Sequence, residues 1–588
     1  MYTRKYVIVV ATIQPKTTNG HKYWYIVESR RINGKPRPVV LEYLGKANDL
    51  LKRLQGLKEG LKLKSYTHGL VAALLSIADK LDVCNIINKR IEGTRDYLAK
   101  KPIRNHLTAG ATLMLAALGR ACVVTSKNGW SEWARTTSLG YMLRLNFAKV
   151  DSQHFWDMMD SMPEDKIEEV EAGIIKNVSD LYELNKETLF YDTTNFYTYI
   201  NTTNQQCKIS QRGKNKQKRT DLRQVGLALV VTRPDMIPLF HYTYEGNMND
   251  AKVFKSVAEK IKNRLCSLEI NPENHTLVFD RGNNSKKNIE LIKSLHMHYV
   301  GALTPYHHKE LIAEASMNFK YLSLDNKKIL SYRTEKKIWG HDMTVVVIIS
   351  DKLKEGQIRG IYESLSKCES LLYKTNNTLK KGKNKKRSKD KIEELSRKIV
   401  LKYKVSTIID LSVFEDAECF KEIKYSINYV NLAKLEEDMG FRIIMTDRHN
   451  WETDEIIKTY HGQSFIENTF KNMKNQRHLS FNPQYHWTDQ KIKVHNFCCV
   501  LGYLMSALIL KQARKKAGFT GTMDTLLNKL VNVRLGTLIE ETGKKGKPKA
   551  IYKLEEMDEI ENTLMSALDI TDLHNNRPKF KGLSVYNL

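Results

Sequence analysis

No Cys-x-x-Cys pair occurs in this chain. Its eight cysteines are Cys84, Cys122, Cys207, Cys266, Cys368, Cys419, Cys498 and Cys499. Their spacing gives a structural zinc site no support, and they read as reduced, buried thiols of a cytosolic protein. No apolar run reaches the roughly 20 residues that span a bilayer. The longest, Phe497 to Leu510, reads as a buried helix. The opening MYTRKYVIVVATIQPK holds too short an apolar stretch for a signal peptide. No repeat at solenoid periods is visible. Acidic charge is the scarcer sign, with 66 Asp and Glu against 95 Lys and Arg and a formal net charge of +29. An excess of that size favours a polyanionic partner, because basic side chains displace the counterions condensed on phosphates. It points to nucleic acid without naming a chemistry.

What is present describes a folded chain of several parts. Hydrophobic residues make up 41% and charged residues 27%, which excludes a disordered chain. With 588 residues, three or more structural units are expected. Residues 1–60 read as a β-rich arm, with two β-prone runs around the turn signal Asn33-Gly34. Arg30, Arg31, Lys35 and Arg37 crowd that turn. A solvated hairpin tip and a DNA-contacting arm are both open readings. Residues 61–185 read as helical from about Ser65, either a DNA-binding region or a scaffold, since apolar residues recur at three- and four-residue spacing. Residues 186–304 run βββαβαβ, which predicts an α/β sheet of mixed strand direction. Residues 305–450 interrupt this pattern with a partly β insertion and a helical stretch from Gly356 to Lys402. Inside it the basic run Lys380 to Lys391 reads as an exposed loop, either solvated or touching a DNA backbone. Residues 451–515 return to helix, and 516–588 are mixed, with a second basic loop from Lys544 to Lys549.

The chemistry rests on three acids. Asp192 is read at the end of the first strand of the middle section, and Asp280 at the end of the fourth. In a sheet of this order those two strands are expected to be parallel neighbours, and their carboxyl ends then bring both carboxylates to the sheet edge where open α/β sheets place their sites. Two such carboxylates repel unless a cation lies between them. Oxygen ligands with open water positions suit Mg²⁺ or Mn²⁺. Glu467, on an amphipathic helix, supplies a third ligand and completes the set for two ions. Taken one at a time, each acid has a structural reading: a turn or N-cap Asp, or an ion pair of Glu467 with Lys471. His461, His478, His486 and His495 cluster about the same block and read more readily as core or surface groups than as ligands. Trp339, in the insertion, reads as packing within a β element, with stacking on an unpaired base as the minority reading.

The text around these acids adds a resemblance. Tyr460, Gln463, Glu467 and Lys474 stand at the spacing Y-(2)-R-(3)-E-(6)-K. YDTTNFY (191–197), VFDRG (278–282), GQSFIENTFKNMK and YHWTDQKIKVHNF resemble the motif blocks of bacterial insertion-sequence transposases of the IS-four superfamily, nearest to the branch named IS-sixteen-thirty-four. The likeness runs from the N-terminal hairpin to about residue 510. It implies an RNase H-like core interrupted by a large, partly β insertion, with Asp192, Asp280 and Glu467 as a metal-binding DDE triad. It also implies Tyr460 and Lys474 at the DNA end, a homodimer in the synaptic complex, and a bacterial, nucleoid-associated setting in the cytoplasm. One residue departs from the pattern. Gln463 stands where the signature has Arg, and an amide brings neither charge nor a bidentate fork to a phosphate. Lys471 and Arg477 are the nearby cations that could compensate.

The expectation is therefore a Mg²⁺-dependent transposase. It would bind the inverted repeats of its element, cut, and transfer the 3′-OH ends to target DNA. The rivals are a structure-selective nuclease on the same core and a decayed, DNA-binding derivative.

Overall fold

β-Prone, alternating residues pair early in the chain, and their partners then diverge. The computed structural model describes residues 11–18, 21–32, 35–47, 50–51, 61–92, 103–215, 219–324, 327–380, 388–415, 421–540 and 549–583. They divide into two compact units. One is built from Met1–Lys80, Thr125–His154 and Ile509–Phe580; the other from Leu81–Val124, Phe155–Leu508 and Lys581–Leu588. In the first, β1 (Ala11–Thr18), β2 (His21–Ile32) and β3 (Lys35–Lys46) form an antiparallel sheet. The β2–β3 hairpin expected from the sequence is there, with Ile32 opposite Lys35. Asn33 and Gly34 themselves, and residues 381–387 and 544–548 of the two basic loops, lie outside the described residues.

The helical pattern expected from Ser65 starts later, at Gly69. Leu61–Thr67 is instead a strand, β4. Its hydrogen-bonding partner lies near the other end of the chain, so no local pattern could announce it.

The second unit opens with the helix Val83–Ile91, followed by two short strands, β5 (Ile103–Arg104) and β6 (Leu107–Thr108), and the helix Ala109–Cys122. That last helix is buried along its whole length, as an Ala- and Leu-rich segment with no polar face must be. Thr108 caps it, accepting from the Ala111 amide.

The unit's centre is a nine-stranded mixed sheet. Its strands are β7 (Thr188–Thr198), β8 (Arg223–Thr232), β9 (Pro238–Glu245), β10 (Thr276–Phe279), β11 (His298–Leu303), β12 (Lys320–Leu324), β13 (Lys327–Ile338), β14 (His341–Ile349) and, after the hairpin β15 (Ile409–Glu415) and β16 (Lys421–Ile427), β17 (Phe441–Thr446). The spatial order is β12-β13-β14-β17-β11-β10-β7-β8-β9. β7, β8 and β9 form an antiparallel meander. β10 lies parallel to β7, and β11 parallel to β10. The first and fourth strands of the βββαβαβ run are thus parallel neighbours.

Two boundaries differ from the sequence reading. β7 does not stop after Asp192; it continues to Thr198 along β8. The β-branched and aromatic run TTNFYT favours that extension, and only the parallel pairing with β10 ends at this level. The stretch from 305 to 450 also does more than interrupt the core. β12, β13, β14 and β17 continue its sheet through antiparallel β17–β11 pairing. The helices Asp351–Lys380 and Lys389–Lys402, the β15–β16 hairpin and the helix Tyr429–Glu437 carry a separate small core around Leu365, Leu372, Ile392, Val400, Ile423 and Leu432.

The two faces of β7 are distinguished by side-chain alternation. Tyr191 packs on Phe254 of the helix Asp250–Ser267, with ring centroids 5.2 Å apart, and Phe254 on Phe279 at 5.3 Å. A buried polar cluster ties this helix to its neighbours: Arg264 and His241 both meet Glu171, at 3.0 Å and 2.5 Å. Burial alone would raise the Glu171 carboxyl, but its contacts with His241 and the Arg264 guanidinium hold it below the ordinary range.

On the opposite face lie the helices α1 (Thr453–His461) and α2 (Gln463–Met473), followed by α3 (Asp489–Ala517). α3 is long and apolar enough to cross a membrane, yet 94% of its apolar window is buried inside the protein, as expected for Phe497 to Leu510.

The C-terminal part of the first unit completes β4. β18 (Arg534–Glu540) pairs with both β4 and β19 (Lys549–Leu554), antiparallel in each case. His68 is fully buried there, its Nδ1 2.8 Å from Ser138 Oγ.

Candidate active site

Asp192 lies on the α2 face of β7, between two residues that touch that helix. Phe190 packs against Phe465 at 6.1 Å. Thr194 Oγ1 accepts from Lys474 Nζ at 2.6 Å, and the same ammonium lies 5.3 Å above the Phe196 ring. Strand alternation puts Phe190, Asp192, Thr194 and Phe196 on one face.

The position of Glu467 follows from dimensions. Gly462, just before α2, abuts Phe190, and Lys474 caps the helix at Thr194. Helix rises of about 1.5 Å per residue against about 3.3 Å in a strand carry Glu467 some two strand positions past Phe190, to the level of Asp192.

Asp280 follows from register. Phe279, the last residue of β10, pairs in parallel with Tyr191, so Asp280 just past that strand end and Asp192 in β7 stand side by side toward the same face. Asp280 also caps a short 3₁₀ turn and accepts from the Arg281 amide at 2.7 Å. Asp192 does the same from the Thr193 amide at 2.7 Å. Asp280 and Glu467 are exposed, and Asp192 is half-buried. The elements therefore bring all three acids to one end of one face. Their side chains are not gathered into a cage: among the described residues no group of three His, Cys, Asp or Glu is placed to hold a metal ion.

Tyr460 is only 6% exposed. Burial pushes its phenol up to about 12; Asp280 and Glu467 add to that, and Arg442 and Arg281 oppose it. Its charge environment thus joins two of the acids to two arginines that the motif reading passed over. Arg281 stands inside the VFDRG block, and Arg442 opens the β-run of β17, so only the folded register could single them out. The break at Gly462 puts Tyr460 on α1 and Gln463 at the start of α2. Gln463 is half-buried, and its Nε2 is buried without a hydrogen-bond partner. Lys471 and Arg477 are exposed at the far end of α2 and just beyond it.

The remaining candidates occupy structural places. His478 Nδ1 lies 3.1 Å from the Cys122 carbonyl, and His495 Nε2 2.9 Å from that of Phe481. His486 is buried beside His495, with centroids 4.9 Å apart, and His461 is exposed. Trp339 sits half-buried at the β13–β14 turn with φ 53°.

The family model described as a transposase DDE domain matches residues 186–488, slightly over half the chain and enclosing all three acids. The chain belongs to this DDE transposase family. No curated protein matches it. Among solved structures, a piggyBac transposase synaptic complex with hairpin DNA is loosely similar. Identity is 8% and the TM-score 0.36, over 78% of this chain and 79% of that one. Membership of the DDE family supports transposition as the class of activity.

Proposed function

We propose that the protein is an insertion-sequence transposase of the YREK type, nearest the IS-sixteen-thirty-four branch, with Asp192, Asp280 and Glu467 as its catalytic carboxylates on an RNase H-like core. The observation that carries the reading is the shared face. Two aspartates stand side by side where the parallel pairing of β7 and β10 ends, and a helix packed along β7 brings Glu467 to their level.

All three donors are carboxylate oxygens, which fit hard Mg²⁺ or Mn²⁺ and leave positions for water. Two bound ions would supply activation of the attacking oxygen and stabilisation of the leaving oxygen of a phosphodiester. The chain's own residues do the rest. The Phe190–Phe465 contact fixes α2, and with it Glu467, along β7. Lys474, exposed beside Thr194, offers an ammonium to a backbone phosphate next to the acids. Tyr460 keeps its proton at neutral pH, so its phenol remains a hydrogen-bond donor for the DNA end. Hydrolysis and strand transfer are both in-line displacements at phosphorus, so one site serves both. The partners are double-stranded DNA, at element ends and target, and a second copy of the chain; the setting is the bacterial nucleoid.

The test uses the DNA flanking this gene. Inverted repeats from both sides, incubated with the protein and Mg²⁺, should be cut, and a pre-cut end should be joined to a plasmid. Cutting without joining identifies a nuclease. Binding without cutting identifies a decayed copy, a reading to which Gln463 lends weight.

A further inference from the structure

β7 runs on past the acids, and what lies at its far end has no part in the chemistry above. Tyr199, just after the strand, is 48% exposed and pairs with Tyr485, 56% exposed, at 5.7 Å. Two residues along, Trp487 is 46% exposed and pairs with Trp156 at 5.6 Å. Single exposed aromatics are ordinary on a protein surface, whereas two ring pairs brought together by one short segment form a patch.

The adjoining β7–β8 connection, residues 199–222, carries Lys208, Arg212, Lys214, Lys216, Lys218 and Arg219 against one acid, Asp221. Lys208, Arg212 and Lys214 are exposed. Arg219 is held by Asp221 at 2.6 Å.

This surface is preformed. The amides of Lys208 and Ile209 both donate to Asp489 Oδ1, at 2.7 and 3.0 Å. The Tyr199 amide donates to the Gln484 carbonyl at 2.8 Å, and the Tyr197 hydroxyl donates to Asn215 Oδ1 at 3.1 Å. A surface ordered before binding loses less entropy when its partner arrives.

We infer that Tyr199, Tyr485 and Trp487, with Lys208, Arg212 and Lys214, form a second docking surface for double-stranded DNA, outside the catalytic face and continuous with it through β7. Charge decides the occupant: exposed cations beside phenol and indole donors match phosphate oxygens and the sugars between them. Position supports it. Tyr199 lies seven positions of extended chain beyond Asp192, about 23 Å, and Lys474 lies between them. At about 3.4 Å per base pair, a duplex with its scissile phosphate at the acids reaches this patch about seven base pairs away. The inference rests on the catalytic reading only for that spacing.

The test is fluorescence anisotropy of the full chain with a long random-sequence duplex, across a salt series. Tyr485→Ala/Trp487→Ala should weaken binding about tenfold or more, as loss of contacts to charged groups implies. Arg212→Ser/Lys214→Ser, which leaves the core untouched, should lower the slope of log K against log salt by roughly 1.8. Unchanged affinity and slope in the charge variant would overturn the surface, whatever becomes of the aromatic variant's fold. A loss seen only with single-stranded DNA would overturn the duplex assignment. Repeating both variants in an Asp192→Asn chain separates the two readings, because binding is read without cleavage. If Asp192→Asn still cuts while the aromatic loss persists, the triad fails and the surface stands.

Discussion

Gly462 offers a direct way to move the candidate active site without touching an acid. A Cβ built there would lie 2.4 Å from Phe190 Cζ and 3.0 Å from both Phe190 Cε1 and the Thr459 carbonyl. Ordinary carbon contacts are about 3.5–4.0 Å, so about 1 Å of separation is needed. Phe190 is fully buried and cannot swing away, so α2 must lift from β7. Overpacking of this kind costs about 1–3 kcal/mol. Gly462 has φ −60° and ψ −11°, a conformation that suits alanine, and the stiffer unfolded chain returns about 0.4–1 kcal/mol. The net loss of stability from Gly462→Ala is therefore modest, about 1–2 kcal/mol. The effect on rate should be larger. Glu467 lies on the same helix a little over one turn on, and a displacement of about 1 Å in a catalytic group costs about a hundredfold. Denaturant midpoints and Mg²⁺-dependent end cleavage measure the two effects separately. Phe190→Leu, which shortens the obstructing ring, should restore much of the rate in the double mutant. Wild-type cleavage by Gly462→Ala, or a defect that Phe190→Leu leaves unrelieved, would refute the claim that this contact sets the position of Glu467.

Asp192→Asn, Asp280→Asn and Glu467→Gln should each abolish cleavage in a gel assay while end binding in a mobility-shift assay is kept; robust cutting by any one removes that residue from the triad. Lys474→Ala should weaken end binding, and Gln463→Arg should tighten it or raise cleavage; no change in either would mean that neither position meets the DNA end. Gln463→Ala should leave the unfolding midpoint almost unchanged, because the buried Nε2 has no internal partner to lose; a clear drop would show that the amide is structural. His68 has its pKa lowered from 6.5 to about 4, by burial first and then by His574. Folding favours its neutral form, so its stabilising contribution is complete above pH 6.5 and fades as the pH falls toward 4, about 3 kcal/mol in all. Denaturant titrations at several pH values should show that acid loss in the wild type and a shallower one in His68→Gln.

The parts of this protein that local patterns govern were legible before folding. The βββαβαβ order came from local patterns, and that order implied the parallel pairing of its first and fourth strands, which brings Asp192 and Asp280 together. The length of β7 beyond Asp192 was missed because what continues the strand is β8, whose partner residues run from Leu229 back to Arg223. Arg442 and Arg281 carried no motif signal; they stand out only once α1 lays Tyr460 near them. β4 read as the edge of a helical region because its pairing partner is remote. The exposed ring pairs at Tyr199 and Trp487 are likewise contacts between distant segments.

That remote pairing has a consequence in time. Ser65 and Arg534 bond across 469 positions of sequence. At the usual pace of synthesis, about 5–20 residues per second, β4 leaves the ribosome some 25–90 s before β18. Throughout that interval one edge of β4 lacks its strand, and its sheet cannot close. The Phe155–Leu508 segment, by contrast, is complete before β18 is made. The nascent chain thus passes through a stage in which the carboxylate-bearing sheet can already be folded while the β4–β18–β19 sheet waits for its last strands, and a messenger cut short before β18 would yield a product held at that stage.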